Sequence, residues 1–102
     1  MLSKKIKFNT GVIYKDDFID IDKPLKNQVD NLYEDMFQLS FEDKLAMDIG
    51  YYGVEDNKFF KIYIIQNSHW DEPFYEKEIY DYSLLETEIR KAIEIFDKKA
   101  LE

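Results

Sequence analysis

The segment FFKIYIIQ, residues 59–66, constrains the fold of this chain more than any other stretch of its sequence. It is apolar at both odd and even positions and rich in β-branched and aromatic residues, which is typical of a strand buried on both faces. The backbone of such a strand needs hydrogen-bonding partners along both edges. The segment therefore predicts a β-sheet with this strand at its centre.

Neighbouring segments predict the partners of this strand. Residues 45–54 place apolar side chains on one face at period two, and the EDNK turn at residues 55–58 then closes a hairpin. Residues 74–80 resume the alternation and predict an outer strand with one charged face. Near the beginning of the chain, the alternation in residues 4–9 predicts a further strand, and residues 12–14 suit an extended segment.

Two segments have the apolar spacing of an amphipathic helix. In residues 24–40 the apolar positions recur on one helical face, and Asp22 followed by Pro24 suits a helix start. The second helix follows the sequence SLLE, in which Ser83 and Glu86 are spaced as a capping box. The apolar stripe of this second helix comprises Leu85, Ile89, Ala92, Ile93 and Phe96.

The order of elements is therefore β(β)-α-β-β-β-α. Because the connections between strands are short, we predict an α+β fold, an antiparallel sheet of four to five strands with two amphipathic helices on one face. The length of 102 residues predicts a single domain spanning residues 1–102. The final Leu101-Glu102 pair is typical of a cloning scar, and we attach no function to it.

The charge and the missing cysteine exclude several classes of function. The chain has 22 acidic residues against 14 lysines and arginines, a net charge of -8, so its field repels nucleic acid and anionic membranes and favours basic partners. The alternative is that the acidity only keeps the protein soluble. Without cysteine there are no disulfides, zinc–thiolate sites or thiol nucleophiles. With no apolar run long enough for a signal peptide or a bilayer span, we expect a cytoplasmic protein.

The segment NSHWDEPFYE, residues 67–76, contains the only histidine and the only tryptophan. Ser68, His69 and Asp71 are the residue types of a hydrolase triad, but a triad is assembled in space, and residues this close in sequence rarely converge. His69 with Asp71 and Glu72 has ligand types that suit a divalent metal, but adjacent side chains do not all face one ion. We therefore predict no enzyme, cofactor or metal site, and a metal-dependent enzyme is the remote alternative.

Acidic and aromatic residues dominate the following part of the chain. Residues 68–88 contain seven acids and one lysine, a local balance of -6, interleaved with Trp70 and several tyrosines. Interface centres favour such rings, and carboxylates around them attract a basic partner. The candidate partner-binding residues are His69, Trp70, Asp71, Glu72, Tyr75, Glu76, Glu78 and Tyr80. The alternative is that Trp70 packs over the sheet edge and the acids form an ordinary solvated face.

By overall pattern the chain resembles the small acidic bacterial immunity proteins of toxin–immunity pairs, including those of contact-dependent growth inhibition. The resemblance rests on a short, cysteine-free, acidic α+β sequence with a strand such as FFKIYIIQ and a closing amphipathic helix. It implies a monomeric or homodimeric inhibitor of a basic toxin domain such as a nuclease, with no direct nucleic-acid or membrane contact. No functional residue carries over, because these proteins share no motif. The alternatives are a phage or bacterial assembly module and a phage inhibitor that mimics nucleic-acid charge.

Overall fold

The fold is a five-stranded antiparallel sheet with a single α-helix on one of its faces. The computed structural model describes residues 1–102. The strands pair in the order β1-β2-β3-β4-β5, so the sheet is a simple meander. Its elements are β1 (Val12–Asp16), β2 (Phe37–Phe41), β3 (Leu45–Val54), β4 (Asn57–Gln66), β5 (Tyr75–Ile79) and α1 (Leu85–Ala100). Short 3-10 turns occur at Leu2–Lys4, Leu25–Asn27, Val29–Asn31 and Tyr82–Leu84.

The long hairpin of β3 and β4 confirms the pairing predicted for residues 45–54 and 59–66. A left-handed backbone closes it, with φ of 111° at Gly53 and 51° at Glu55. At Gly53 any side chain would collide with the carbonyl oxygen of Asn57, so the turn requires glycine. β4 pairs along both edges, as predicted, but the middle strand of the sheet is β3, and β5 is the predicted outer strand.

Alternation along the strands divides the sheet into two faces. On the covered face, apolar side chains of β2, β3 and β4 pack against the apolar stripe of α1, where Phe96 is completely buried. The loop residues Phe18 and Ile19 join the same core. Burial of these side chains is the main driving force for this fold. No helix of the chain has the length and apolar character needed to cross a bilayer.

The predicted fold with two amphipathic helices is wrong, because residues 24–40 contain no α-helix. They form two 3-10 turns, and from Phe37 the chain enters β2. Asn27, Asp30 and Asn31 favour turns over helix interior, which weakens the helical signal. The deciding factor is tertiary: β3 needs a partner along its free edge, and Phe37 pairs with Ile49 there.

Two further local predictions are wrong. Residues 4–9 form no strand; the chain turns at Leu2–Lys4 and returns its backbone to the carboxylate of Asp16, which accepts from Leu2 N at 2.6 Å and Ser3 N at 2.8 Å. Ser83 does not cap α1 either. It lies in the preceding 3-10 turn, where the carboxylate of Asp81 accepts from Ser83 N at 3.0 Å and from Ser83 Oγ at 2.7 Å. Short polar side chains compete for such turns.

Candidate protein-binding face

The second face of the sheet carries no helix, and we call it the open face. Its side chains alternate along the strands with those of the covered face. It comprises Val12, Lys15, Gln38, Ser40, Ala46, Asp48, Tyr52, Phe59, Lys61, Tyr63, Ile65, Glu76 and Glu78. Aromatic, charged and small side chains therefore share one surface.

The loop of residues 67–74 joins β4 to β5 and carries four of the predicted site residues: His69, Trp70, Asp71 and Glu72 are all exposed. Trp70 keeps 56% of its surface accessible, although it is the largest side chain of the loop. The segment therefore connects two strands, as the predicted strands on either side of it imply, and the structure adds that its side chains are exposed.

Backbone contacts hold the loop against the sheet. Asn67 N donates to Lys44 O at 2.9 Å, and Phe74 N donates to Ile64 O at 2.8 Å. Asn67 and Ser68 both have a left-handed backbone, with φ of 54° and 64°. They are the central residues of a turn that the hydrogen bond from His69 N to Gln66 O closes at 3.1 Å, as in a type I′ turn, where both central residues are left-handed. Trp70 therefore belongs to a loop with a defined backbone.

Glu76, Glu78 and Tyr80 lie together around the amine of Lys61. Lys61 Nζ is 3.9 Å from a carboxylate oxygen of Glu76 and 3.7 Å from one of Glu78, and the Tyr80 hydroxyl donates to Glu78 at 2.9 Å. The same amine lies 4.7 Å from the ring centre of Tyr63. The structure thus brings these three predicted residues to the open face.

Tyr75 does not join them. It pairs with Ile64, whose side chain points into the core, and it packs beside that core on the covered face. Burial, and then the charge of Glu88 on α1, raise the pKa of its hydroxyl. Tyr75 therefore contributes to the fold on the side opposite to Glu76 and Glu78.

A buried carboxylate at the centre of the open face was missed by the sequence reasoning. Asp48 is only 2% exposed; it accepts from Gln38 Nε2 at 3.0 Å and from the Tyr52 hydroxyl at 3.4 Å. The same hydroxyl is 3.3 Å from the carboxylate of Asp35. Gly50 allows the backbone of Asp35 to lie this close to the sheet, because a Cβ at position 50 would lie 2.6 Å from Asp35 N.

The surroundings of Asp48 disfavour its charge. Burial raises the pKa of Asp48 to about 6, and Asp35 adds to the rise, whereas the hydrogen bonds from Gln38 and Tyr52 oppose it. Perturbed carboxyls of this kind concentrate at functional sites. One feature of the sequence could have pointed to Asp48: it is an acidic residue between Met47 and Ile49, in the middle of a predicted strand whose alternate positions are apolar.

We expect Asp48→Asn to stabilise the protein at neutral pH. The pKa of Asp48 in the folded chain lies above the value of about 4 in an unfolded chain. The folded state therefore binds more protons between these values and loses stability as the pH rises through about 4 to 6. The variant should gain about 2 kcal/mol in unfolding free energy near pH 8 and little near pH 3.5.

Urea unfolding across this pH range measures the difference. Asp43→Asn, which removes an exposed carboxylate, is the matched control and should leave stability nearly unchanged. A less stable Asp48→Asn protein near pH 8 would mean that the charged hydrogen bonds to Gln38 and Tyr52 outweigh the desolvation of the carboxylate.

The charges around the open face and its loop are mostly negative. Asp35, Glu76, Glu78, Asp71 and Glu72 are all exposed carboxylates. No group of three or more His, Cys, Asp or Glu side chains is arranged to hold a metal ion, so His69 and its acidic neighbours form no such centre. What this surface offers to a ligand is aromatic rings, hydrogen-bond groups and negative charge.

Comparison with protein-family models, with curated proteins and with solved structures found no match to this chain. The chemistry of the open face and its loop therefore has to indicate what this chain binds.

Proposed function

We propose that this chain is a small acidic inhibitor that binds a basic protein through the open face and the loop of residues 67–74. One observation carries the proposal: a sheet face that no helix covers presents aromatic rings among carboxylates. Trp70 is 56% exposed and Tyr80 is 61% exposed at this surface. Interface centres are enriched in Trp and Tyr, and peripheral carboxylates speed the encounter with a basic partner.

The size of the surface supports a protein as the ligand. Strands of about seven residues at roughly 3.3 Å each, and five strands about 4.8 Å apart, give the open face an area on the order of 500 Å². Together with its loop, the face approaches the roughly 800 Å² that each partner buries in a standard interface. A surface of this area suits a folded domain better than a small molecule.

The specific form that we propose is an immunity protein that acts in the cytoplasm and neutralises a cognate toxin domain. Binding alone would block the toxin, by covering its active site or an adjacent surface, so no catalytic residue is needed in this chain. The net charge of -8 supports a basic toxin, and a nuclease is the class that most often needs a basic surface to hold its phosphate substrate.

The direct test uses the product of the reading frame next to the gene for this chain. We expect the two proteins to co-purify, co-expression to relieve any growth arrest, and the complex to weaken as salt rises. Asp71→Lys with Glu76→Lys should lower the affinity at least tenfold, because both exposed charges lie on the proposed surface. Calorimetry at two salt concentrations measures both effects.

The matched control is Glu94→Lys with Asp97→Lys, which changes the net charge equally but lies on α1, away from the open face. It should lower the affinity much less. Equal losses for both pairs would mean that only the net charge matters, and an unchanged affinity for the Asp71 and Glu76 pair would place the interface elsewhere. Failure of the two proteins to associate would overturn the proposed inhibition of that partner.

A second candidate function, an assembly module, is favoured by the outer strand β1. The first half of that strand is uncharged and exposed, with Val12 at 62% and Tyr14 at 72%, and such an edge can add a strand from another copy. The other outer strand, β5, carries Glu76, Lys77 and Glu78, which oppose such pairing. Light scattering separates the two functions, since self-assembly requires a mass that grows with concentration.

A further inference from the structure

A cleft separates the loop of residues 67–74 from the turn between β2 and β3. Its volume is about 290 Å³, and the rings of Trp70 and Tyr14 both line it. Ser40, Ala46 and Ile65 are small or apolar side chains of its lining, and the turn adds Glu42, Asp43 and Lys44. We call this the Trp70 cleft.

The Trp70 cleft has a defined shape. The hydrogen bond from Asn67 N to Lys44 O, 2.9 Å, ties its two sides together. Glu42 is left-handed in the turn, with φ of 53°, and Asn67 and Ser68 are left-handed in the loop. Ile65 is only 1% exposed although it lies on the open face, so the lining is shielded from water at that point. A preformed cleft of this kind binds without a large ordering penalty.

The side chains of the cleft match a cationic group with an aliphatic stem. Exposed aromatic rings attract a cation through their faces, and Glu42 and Asp43 supply two exposed carboxylates. Lys44 is the only cation of the lining; its amine lies 3.6 Å from Glu42 Oε2, and both side chains of this pair are 60% exposed, so it is an easily displaced surface pair. The half-buried Ala46 gives the lining an apolar part that suits methylene groups.

We propose that the Trp70 cleft receives an arginine side chain of the basic partner. Arginine fits better than lysine, because its planar guanidinium stacks on aromatic rings and forms paired hydrogen bonds with carboxylates. The volume lies at the lower limit for ligand pockets, which suits one side chain. This inference rests on the proposed function and adds the chemistry that the partner must present.

Trp70 is the only tryptophan, so its fluorescence reports directly on the cleft. The probe is the capped peptide acetyl-Gly-Arg-Gly-amide, titrated at constant ionic strength, and the reference is the same peptide with neutral citrulline in place of arginine. We expect a saturable change with a dissociation constant in the millimolar range for arginine, several-fold weaker binding of the lysine peptide, and none of the citrulline peptide.

Glu42→Gln with Asp43→Asn should weaken arginine binding at least tenfold while leaving the fluorescence of the free protein unchanged. Glu55→Gln with Asp56→Asn removes two exposed carboxylates from the turn between β3 and β4, and this matched control should bind as the original protein does. If the first pair fails to fold, Asp43→Asn alone gives the same test with a smaller loss. Equal binding of arginine and citrulline, or full affinity in the Glu42 and Asp43 variant, would overturn the proposal.

The outcome is separate from that of the proposed function. If the peptide fails to bind but the partner complex forms and depends on Asp71 and Glu76, the open face is the interface and the arginine cleft is wrong. If the peptide binds in the expected way but no partner complex forms, the cleft recognises arginine and the inhibitory function is wrong.

Discussion

Replacing Trp70 by alanine is expected to weaken the complex with the basic partner about a hundredfold, close to 3 kcal/mol, and to change the unfolding free energy by no more than about 1 kcal/mol. Trp70 is more than half exposed in the free chain, so the fold gains little from it. In the complex the same ring would be desolvated and would stack on the bound cation. Calorimetry on the complex and urea unfolding of the free protein measure the two quantities.

Two variants give this prediction its controls. Trp70→Phe keeps an aromatic ring and should retain most of the affinity. Phe74→Ala removes an exposed ring from the same loop, 44% accessible, whose nearest cation is Lys99 at 5.0 Å, so it should affect binding little. A Trp70→Ala protein that binds normally would exclude the Trp70 loop from the interface, and one that unfolds would make Trp70 a structural residue.

Phe96→Ala is expected to have the largest effect on stability, lowering the unfolding free energy by about 4 kcal/mol. Phe96 is completely buried and lies on α1, the only helix on the covered face. Its removal leaves a cavity between the helix and the sheet, and for a domain of this length that is a large share of the total stability. Urea unfolding monitored by far-UV circular dichroism measures the loss.

Phe74→Ala serves again as the matched control, because it makes the same substitution at an exposed position and should cost less than about 1 kcal/mol. A Phe96→Ala loss as small as that of Phe74→Ala would contradict the tight packing of α1 on the sheet. Partner binding by folded Phe96→Ala should be nearly normal, because the open face lies on the other side of the sheet.

The two faces of the sheet differ in what they bury. The covered face buries only apolar side chains, whereas the open face retains a carboxyl, Asp48, whose burial disfavours its charge near neutral pH. A group that lowers stability is a candidate for a role in binding, since stability and function often conflict at binding sites. If Asp48→Asn is more stable but binds the partner less well, that conflict is present here.

The local sequence pattern was sufficient to predict strand pairing where the two strands are close along the chain. Residues 45–66 alternate and turn in a way that predicts the β3–β4 hairpin, and the stripe ending in Phe96 predicts α1. Residues 24–40 were misread, because their apolar spacing is compatible with one face of a helix as well as with turns that lead into a strand. The choice between a helix and a strand depends on pairing with the free edge of β3, and the local pattern of residues 24–40 does not contain that interaction.

The places of the candidate residues in the fold were predictable to a similar degree. The sequence located the connection around Trp70 and the acids of β5, but it grouped Tyr75 with them, although the alternation places Tyr75 on the covered face. The sequence did not reveal that Tyr14 of β1 and Glu42, in the turn between β2 and β3, line a cleft with Trp70. Residues this far apart in sequence meet only when the meander is complete.

By itself, the sequence of this protein determined the strong periodic elements, the acidic charge and the presence of a segment with the only tryptophan between two strands. These properties depend on each residue and its near neighbours. Only the tertiary structure decided that residues 37–41 form a strand, that a single helix covers one face, and that the other face is open with Asp48 at its centre. Those outcomes follow from pairing the free edge of β3 and burying one sheet face, and both requirements concern the whole chain.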